Sequence, residues 1–581
     1  MPALPQFDYI FAIGTIFAFL DAWNIGANDV ANSFATSVAS RSLTLKQAMC
    51  IASVMEFAGA MLVGSRVTDT IRTKVISTSL FESDPSVLML AMTCAIVGSA
   101  TYLTIATRFT MPVSTTHSIM GGVIGVGIAS SGPQGVNWSF KGVSQVFAAW
   151  GIAPGISGAF GAIIFLITKY GVMRRNNPVK KAFIMVPIYF FLTSFLLALL
   201  IVWKGGSAKI KLTDYQSVGV AFGVGGAVAL IVATFFIPFL YRRILRDDWE
   251  LKTWELIKGP LLLRRPEPPV RPEGVTIGHI RDFYAGHLTA EELEAKRAAE
   301  AHVAPDDVEK GAGHNVNHKG DGSESDITPI PSVRAAPVTA AGPARQLSKP
   351  KKQPPPGAWY TPAVAFYWIK YAALHGVEQD VVDQQKHRDF LSGDIEKVHA
   401  TGEHFDNRAE YTYSFLQIMT ASTTSFAHGA NDVSNAIGPY TTIYFIWSTA
   451  KISTKVPVPL WILAFGGAGI VVGLWTYGYN IMRALGNKIT LHSPSRGFSM
   501  ELGAAITIIL ATKLALPVST TQCITGATVG VGLCNGTWRT INWRMVAWIY
   551  MGWFITLPCA GIISGCLMGI ILNAPRWGMG V

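Results

Sequence analysis

The sequence carries little charge: only 14% of its 581 residues are Asp, Glu, Lys or Arg, whereas half are hydrophobic. Soluble globular domains carry about 25% charged residues. The chain also lacks a basic face interleaved with aromatic residues, so no nucleic-acid partner is expected. Its net charge of +11 is explained by Lys and Arg residues in the loops that flank membrane helices. No nucleophile–base pair, metal-binding cluster or nucleotide-binding loop is apparent, which makes an enzyme the least expected class.

The six cysteines show no C-x-x-C spacing. They lie in or beside apolar segments, so we expect free, buried thiols rather than disulfides or metal ligands. The apolar stretch near the N-terminus lacks a preceding basic region, which favours a retained membrane helix over a cleaved signal peptide.

Long apolar runs are what the sequence has instead. Several reach the roughly 20 residues that a helix needs to cross a bilayer. We therefore predict an all-α polytopic membrane protein with about 12 transmembrane or re-entrant segments in the lipid bilayer. The predicted segments are 7–33, 48–65, 88–107, 111–130, 144–168, 182–203, 216–240, 411–435, 458–480, 500–512, 516–534 and 545–574.

The middle of the chain has a different composition. Residues 1–241 are predicted to form a first membrane half, in which a repeat at about 8–168 is followed by two further helices. Residues 411–581 are predicted to form the second half. Residues 242–410 are predicted to form a cytoplasmic insert. Its part at about 302–356 is rich in Pro, Gly, Ser and charge, so we expect it to be disordered.

Two motifs occur twice at nearly the same offset. Residues 26–33 have the sequence GANDVANS, and residues 429–436 have GANDVSNA. Residues 112–117 have PVSTTH, and residues 517–522 have PVSTTQ. The copies are 403 and 405 residues apart, which indicates a duplicated unit.

Basic residues orient the predicted segments. The N-terminal tail has no Lys or Arg before Arg41 and Lys46, so the tail is expected outside and the first loop inside. Seven crossings then separate the starts of the two copies, which therefore enter from opposite faces. Such an inverted repeat is typical of secondary transporters with a site near the bilayer midplane. Twelve crossings place the C-terminus outside, and the basic loop 204–211 is the segment that fits this topology least well.

The Ser-Thr-Thr runs are candidate anion-binding elements. Each follows a proline, which can open a helix at its first turn. A helix N-terminus presents free N–H groups and a positive dipole end. Alternatively, these hydroxyls bond only to their own backbone or a neighbouring helix, but their presence in both repeats favours a shared site. The predicted residues are Ser114, Thr115, Thr116, Ser519, Thr520 and Thr521.

The Asn-Asp pairs are candidate cation ligands. Carboxylate and amide oxygens suit a hard cation such as Na⁺, especially beside carbonyls freed by a helix break. The aspartates could instead carry protons or cap a broken helix. Interrupted apolar runs around the Asn-Asp and the Ser-Thr-Thr motifs favour broken or re-entrant helices. The predicted ligands are Asn28, Asp29, Asn32, Asn431, Asp432 and Asn435.

Two glutamates lie at predicted membrane depth, where a carboxylate is costly and function is a better explanation than a structural ion pair. Glu56 lies within an apolar run, and Glu501 opens another. We predict that they bind cations or act as a gate. They are not equivalent in the repeats, since the counterpart of Glu501 is Ile96. The counterpart of His117 is Gln522, so both halves do not need an imidazole.

Taken together, GANDVANS, AHGANDVSNAIGP, PVSTTHS and PVSTTQ resemble the signatures of the inorganic phosphate transporter (PiT) family. They are most similar to those of the fungal high-affinity sodium/phosphate symporters. The resemblance covers about residues 1–250 and 405–575. It implies a 12-helix inverted-repeat symporter, commonly homodimeric, that moves phosphate with Na⁺. It also implies transport roles for the Asp of each pair and for Glu56 and Glu501.

The expected function is therefore phosphate import across the plasma membrane, driven by Na⁺ and requiring no cofactor besides that coupling ion. One alternative is coupling to H⁺, in which the carboxylates take protons. A channel would need a continuous pore rather than a site closed on alternate sides. A third alternative is a phosphate sensor that signals through the central insert.

Overall fold

A computed structural model describes most of the chain and is almost entirely helical. The predicted disordered segment 302–356 and the basic loop 204–211 lie almost wholly outside the described residues. Within the described part no β-strand forms, and the one β-bridge joins Ile76 to Val136. The described residues are 2–66, 75–76, 81–140, 142–204, 212–269, 280–302, 355–358, 360–374, 391, 393–453, 456–514, 516 and 518–574.

Twelve helices of 14 residues or more lie in the described parts of the two membrane halves, which confirms the predicted fold class. In the first half, α1 to α7 are Asp8–Ala39, Leu45–Val63, Pro85–Arg108, Thr115–Ser131, Val143–Thr168, Pro178–Lys204 and Asp214–Ile231. In the second half, α8 to α12 are Asn407–Thr449, Leu460–Leu485, Pro494–Lys513, Thr520–Leu533 and Trp543–Asn573.

Eight of these helices, or the longer helical stretches that contain them, are long and apolar enough to cross a membrane. The other four are α4, α8, α10 and α11. With 17 and 14 residues, α4 and α11 extend about 25 and 21 Å, less than the roughly 30 Å hydrocarbon core. Each packs against the helix before it and forms the short arm of a helical hairpin.

Both Asn-Asp motifs lie inside continuous helices. Residues 26–33 lie within the 32-residue α1, and residues 429–436 lie within the 43-residue α8. The expectation of helix breaks was therefore wrong for the Asn-Asp motifs. The helices are interrupted instead just before the threonines of the Ser-Thr-Thr runs, where α4 and α11 begin.

The two repeats pack on each other in a reciprocal pattern. Helix α1 packs extensively against α9, and its counterpart α8 packs against α2. In the same way α4 packs against α12, and α11 packs against α5. Reciprocal packing between the two halves agrees with the predicted inverted repeat.

Two glycines let these helices approach closely. A Cβ on Gly26 would lie 1.9 Å from the carbonyl oxygen of Ile470 on α9. A Cβ on Gly429 would lie 2.2 Å from the carbonyl oxygen of Glu56 on α2. Small residues are what allow membrane helices to bring their backbones together.

We expect Gly429→Ala to destabilise the protein and to reduce transport. The added methyl group must push α8 away from α2 at Glu56, and overpacking of this kind costs about 1–3 kcal/mol. The apparent melting temperature in detergent and the uptake rate measure the two effects. Gly155→Ala on α5 is the matched control, because its Cβ would meet no described atom within 4 Å. Equal melting temperatures for the two variants would contradict the close approach.

The described chain forms two compact units. The larger consists of residues 1–290 and 372–581 and contains all twelve helices. The smaller consists of residues 291–371 and contains most of two short helices, Ala290–His302 and Pro362–Leu374.

The start of the insert packs on the end of a membrane helix. Tyr284 Oη donates to Glu410 Oε1 at 2.8 Å. Asn407 Nδ2 donates to Asp282 Oδ1 at 3.0 Å. Since Asn407 and Glu410 lie in the first turn of α8, residues 280–290 lie against its N-terminal end.

Candidate substrate and cation site

The aspartates of the two motifs lie close together around one histidine. His428 Nε2 is 3.0 Å from Asp432 Oδ2 and 3.9 Å from Asp29 Oδ2. One ligand atom from each of these three residues lies within 4.8 Å of the other two, and all three residues are buried. The two halves of the chain therefore contribute to a single cluster.

Threonines of both Ser-Thr-Thr runs contact these carboxylates. Thr115 Oγ1 donates to Asp29 Oδ2 at 2.7 Å, and Thr520 Oγ1 donates to Asp432 Oδ2 at 3.0 Å. Thr521 Oγ1 lies 3.3 Å from Asp29 Oδ1. Thr521 of the second repeat thus contacts Asp29 of the first repeat.

The last asparagine of each motif bonds across to the other half. Asn32 Nδ2 donates to Thr521 Oγ1 at 2.8 Å. Asn435 Nδ2 lies 3.2 Å from both Thr115 Oγ1 and Thr116 Oγ1. Asn32 Oδ1 is buried and has no hydrogen-bond partner among the described residues. That oxygen can therefore accept from, or coordinate, a bound species.

The first asparagine of each motif has a different environment. Asn28 Nδ2 donates to the carbonyl oxygen of Met111, and Asn28 Oδ1 accepts from the backbone N–H of Val113, both at 3.1 Å. Both ends of this amide thus hold the loop that precedes α4. Asn431 is half-buried and donates to Asp432 Oδ1 at 2.7 Å, so it orients the carboxylate beside it.

The serines of the two runs cap the short helices. Ser114 Oγ accepts from the backbone N–H of His117 at 3.2 Å, and Ser519 Oγ accepts from that of Gln522 at 3.4 Å. These N-caps satisfy one free amide of each helix. Helix α4 begins three residues after Pro112 rather than at it, and Pro517 lies outside the described residues.

The N-termini of α4 and α11 meet at the carboxylate cluster, because Thr115 and Thr520 are their first residues. Each N-terminus carries a partial positive charge and amides without helical partners. Such ends suit an anion, whereas the aspartates beside them suit a cation. The site therefore places elements for both charges within a few ångströms.

His428 connects this cluster to Glu56. Its Nδ1 lies 2.7 Å from Glu56 Oε2, and Ser425 Oγ donates to Glu56 Oε1 at 2.8 Å. His428 Nε2 makes no hydrogen bond within the described chain, so its 3.0 Å approach to Asp432 Oδ2 is an electrostatic contact. Sequence reasoning missed His428, although its position four residues before Asp432 on one helix face was a usable signal.

Glu501 lies in a separate pocket of neutral donors. Thr36 Oγ1 and Ser37 Oγ donate to Oε1 at 2.5 and 2.7 Å. Thr420 Oγ1 donates to Oε2 at 2.5 Å, and Gln417 Nε2 donates to Oε1 at 3.2 Å. These partners come from α1 and α8, so Glu501 on α10 joins the two motif helices.

A family model described as the phosphate transporter family matches residues 25–564. The chain belongs to the phosphate transporter family. The phosphate-repressible phosphate permease pho-4 of Neurospora crassa is 59% identical, with 99% of each chain covered. The sodium-dependent phosphate transporter 2 of Felis catus is 29% identical over 98% of this chain and 99% of that protein.

A solved structure shares the fold of this phosphate transporter. It is described as the sodium-dependent phosphate transporter, and it matches with a TM-score of 0.65 at 24% sequence identity. The match covers 98% of this chain and 100% of that structure. The family that the sequence motifs resemble is therefore confirmed, and the chain is a membrane transporter.

Proposed function

We propose that this phosphate transporter is a secondary active symporter that imports inorganic phosphate with Na⁺ across the plasma membrane. The observation that carries the proposal is the meeting of Asp29 and Asp432, from opposite halves, at the N-termini of α4 and α11. An anion can approach these carboxylates only when cations or protons compensate their charge.

The two short helices are the proposed phosphate-binding elements. Their N-terminal amides and the hydroxyls of the two runs supply neutral donors, which permit release as well as capture. Ser114 and Ser519 act by holding the helix ends, and the threonines face the site. The proposed phosphate-binding residues remain Ser114, Thr115, Thr116, Ser519, Thr520 and Thr521.

Na⁺ is the proposed coupling ion, and no further cofactor is proposed. Carboxylate, hydroxyl and amide oxygens form a donor set that fits a hard cation. Asp29 and Asp432 would hold Na⁺ with help from Asn32 and Asn435, while Asn28 and Asn431 act by orienting the loop and the carboxylate. Glu56, linked through His428, and Glu501 would couple cation binding to helix movement.

The membrane potential can drive this import when the bound cations outweigh the charge of phosphate. Each net positive charge moved inward gains about 2.3 kcal/mol per 100 mV. We propose that both termini lie outside and that the central insert is cytoplasmic, supported by the distribution of basic residues. A homodimer is proposed from the resemblance to the PiT family.

Uptake of radiolabelled phosphate into proteoliposomes tests the function, with external Na⁺ and pH varied independently. Replacing Na⁺ with choline at fixed pH should reduce uptake to the level of protein-free liposomes. Uptake that persists in choline and follows an inward pH gradient would support H⁺ coupling instead. Failure to accumulate phosphate above the external concentration under an inward Na⁺ gradient would contradict active symport.

A further inference from the structure

A second group of buried oxygen atoms lies on α1, away from the aspartate cluster. Asp21 and Asn24 are both 0% exposed. They are three residues apart and therefore lie on one face of the helix. Asp21 precedes Asp29 by eight residues, which is about 12 Å along the helix axis.

Asp21 has only part of the hydrogen bonding that a buried carboxylate requires. Ser99 Oγ donates to Asp21 Oδ1 at 2.8 Å and lies 3.0 Å from Ser118 Oγ. Asp21 Oδ2 is buried and has no hydrogen-bond partner in the described part of the chain. A carboxylate offers about four lone-pair positions, and buried charges are normally paired or coordinate metals.

The side-chain amide of Asn24 supplies a second buried oxygen atom without a hydrogen-bond partner among the described residues. Asn24 Nδ2 donates to the carbonyl oxygens of Leu20 and Ala100 at 3.0 and 3.2 Å. Carbonyl oxygens only accept, so these contacts define which end of the amide is nitrogen. Asn24 Oδ1 is buried, and no described residue bonds to it. Helix α1 thus presents two unbonded oxygens one turn apart.

Packing alone does not require a carboxylate at this position. With the 403-residue offset of the motifs, the counterparts of Asp21 and Asn24 are Thr424 and Ala427. Both are buried, and Thr424 Oγ1 donates to the carbonyl oxygen of Thr420 at 2.9 Å. At the same positions the second repeat therefore has two neutral side chains. The buried carboxylate occurs only in the first repeat.

We propose that Asp21, Asn24, Ser99 and Ser118 form an additional Na⁺ site, separate from the cluster of Asp29 and Asp432. One carboxylate, one amide oxygen and two hydroxyls form an all-oxygen donor set suited to a hard cation. A bound cation compensates the buried charge of Asp21 and coordinates the two oxygens that lack protein partners. The ion's identity rests on the proposed Na⁺ coupling, whereas its location rests on this geometry.

Binding of ²²Na⁺ to the purified full-length protein, without phosphate, tests the site directly. Asp21→Asn keeps the shape of the side chain and an acceptor for Ser99 but removes the charge. We expect this variant to bind one Na⁺ fewer per chain than the wild type. The Asp29→Asn/Asp432→Asn protein should retain a bound Na⁺ that Asp21→Asn then removes. Equal Na⁺ binding by the wild type and Asp21→Asn would overturn the proposal.

The Na⁺ dependence of uptake provides a second measurement. Asp21→Asn should raise the half-saturating Na⁺ concentration by at least about tenfold, the order found when a metal site loses a supporting group. The control is Asp84→Asn, since Asp84 is an exposed N-cap of α3 that accepts from Ser86 N and Asn caps equally well. An altered pH profile with unchanged Na⁺ dependence would identify Asp21 as a proton carrier and overturn the Na⁺ site.

Failure of this proposal can be separated from failure of the proposed function. If wild-type uptake does not respond to Na⁺, the symport proposal fails whatever the Asp21 variant does. If wild-type uptake requires Na⁺ while Asp21→Asn matches it in Na⁺ binding and Na⁺ activation, the additional site alone is wrong. Size-exclusion profiles that match the wild type establish that each variant is folded.

Discussion

Asp29→Asn and Asp432→Asn are each expected to reduce concentrative phosphate uptake to background. Asparagine has the shape of aspartate but lacks the charge that holds a cation. Hydrogen bonds to charged groups contribute about 1.5–3 kcal/mol, which corresponds to about 10- to 100-fold in affinity. Transport requires the cation and phosphate to bind in one cycle. A loss of cation affinity therefore also reduces phosphate binding, and the two effects multiply in the uptake rate. Radiolabelled phosphate uptake in proteoliposomes with an inward Na⁺ gradient measures the effect.

The matched control for these variants is again Asp84→Asn, which makes the same chemical change at an exposed position. Its uptake should equal that of the wild type. Both site variants should keep the size-exclusion profile of the wild type, because removing a buried charge without changing shape spares the packing. Wild-type uptake by either Asp29→Asn or Asp432→Asn would refute the assignment of that aspartate.

His428→Gln is expected to cause a second large loss of uptake. The imidazole nitrogens lie 2.7 Å from Glu56 Oε2 and 3.0 Å from Asp432 Oδ2. Removing one partner from a buried charged pair costs about 3–5 kcal/mol, which corresponds to roughly 100- to 1,000-fold or more in an equilibrium constant. We therefore expect uptake at background and a lower melting temperature.

His117→Gln is the matched control for that variant. His117 is also a buried histidine, and its Nε2 accepts from Trp150 Nε1 at 3.2 Å. Its counterpart in the second repeat is already Gln522, and a glutamine oxygen can accept the same bond. Uptake should therefore stay close to the wild-type rate. Loss of uptake in His117→Gln together with normal uptake in His428→Gln would contradict the role given to His428.

Helix number and the inverted repeat were predictable because both depend on local composition. A bilayer requires long apolar runs, and these remain visible in the sequence without any knowledge of packing. The repeated motifs then paired the two halves, and the reciprocal packing of their helices agrees with the predicted inverted repeat. The ends of the predicted segments differ from the helices mainly at α8, which begins at Asn407 and extends to Thr449.

The interior of the site was only partly predictable. Asp29, Asp432 and the threonines were identified because charged and hydroxyl groups are rare at membrane depth. The separate roles of Asn28 and Asn32 were not predicted from the sequence. Asn28 holds the loop before α4, whereas Asn32 bonds to Thr521. The continuity of α1 and α8 through the motifs was also missed, because glycine and asparagine in an apolar run usually indicate a break.

By itself, the sequence determined a duplicated helical membrane protein of the phosphate transporter family and most of its candidate site residues. Hydrophobic length and repeated polar motifs are properties of the chain alone. Only the tertiary structure decided which polar groups meet, as in the contact of Glu56 with His428, 372 residues apart. Contacts of that kind depend on helix rotation and packing across the two halves, and these follow from the whole fold rather than from any local segment.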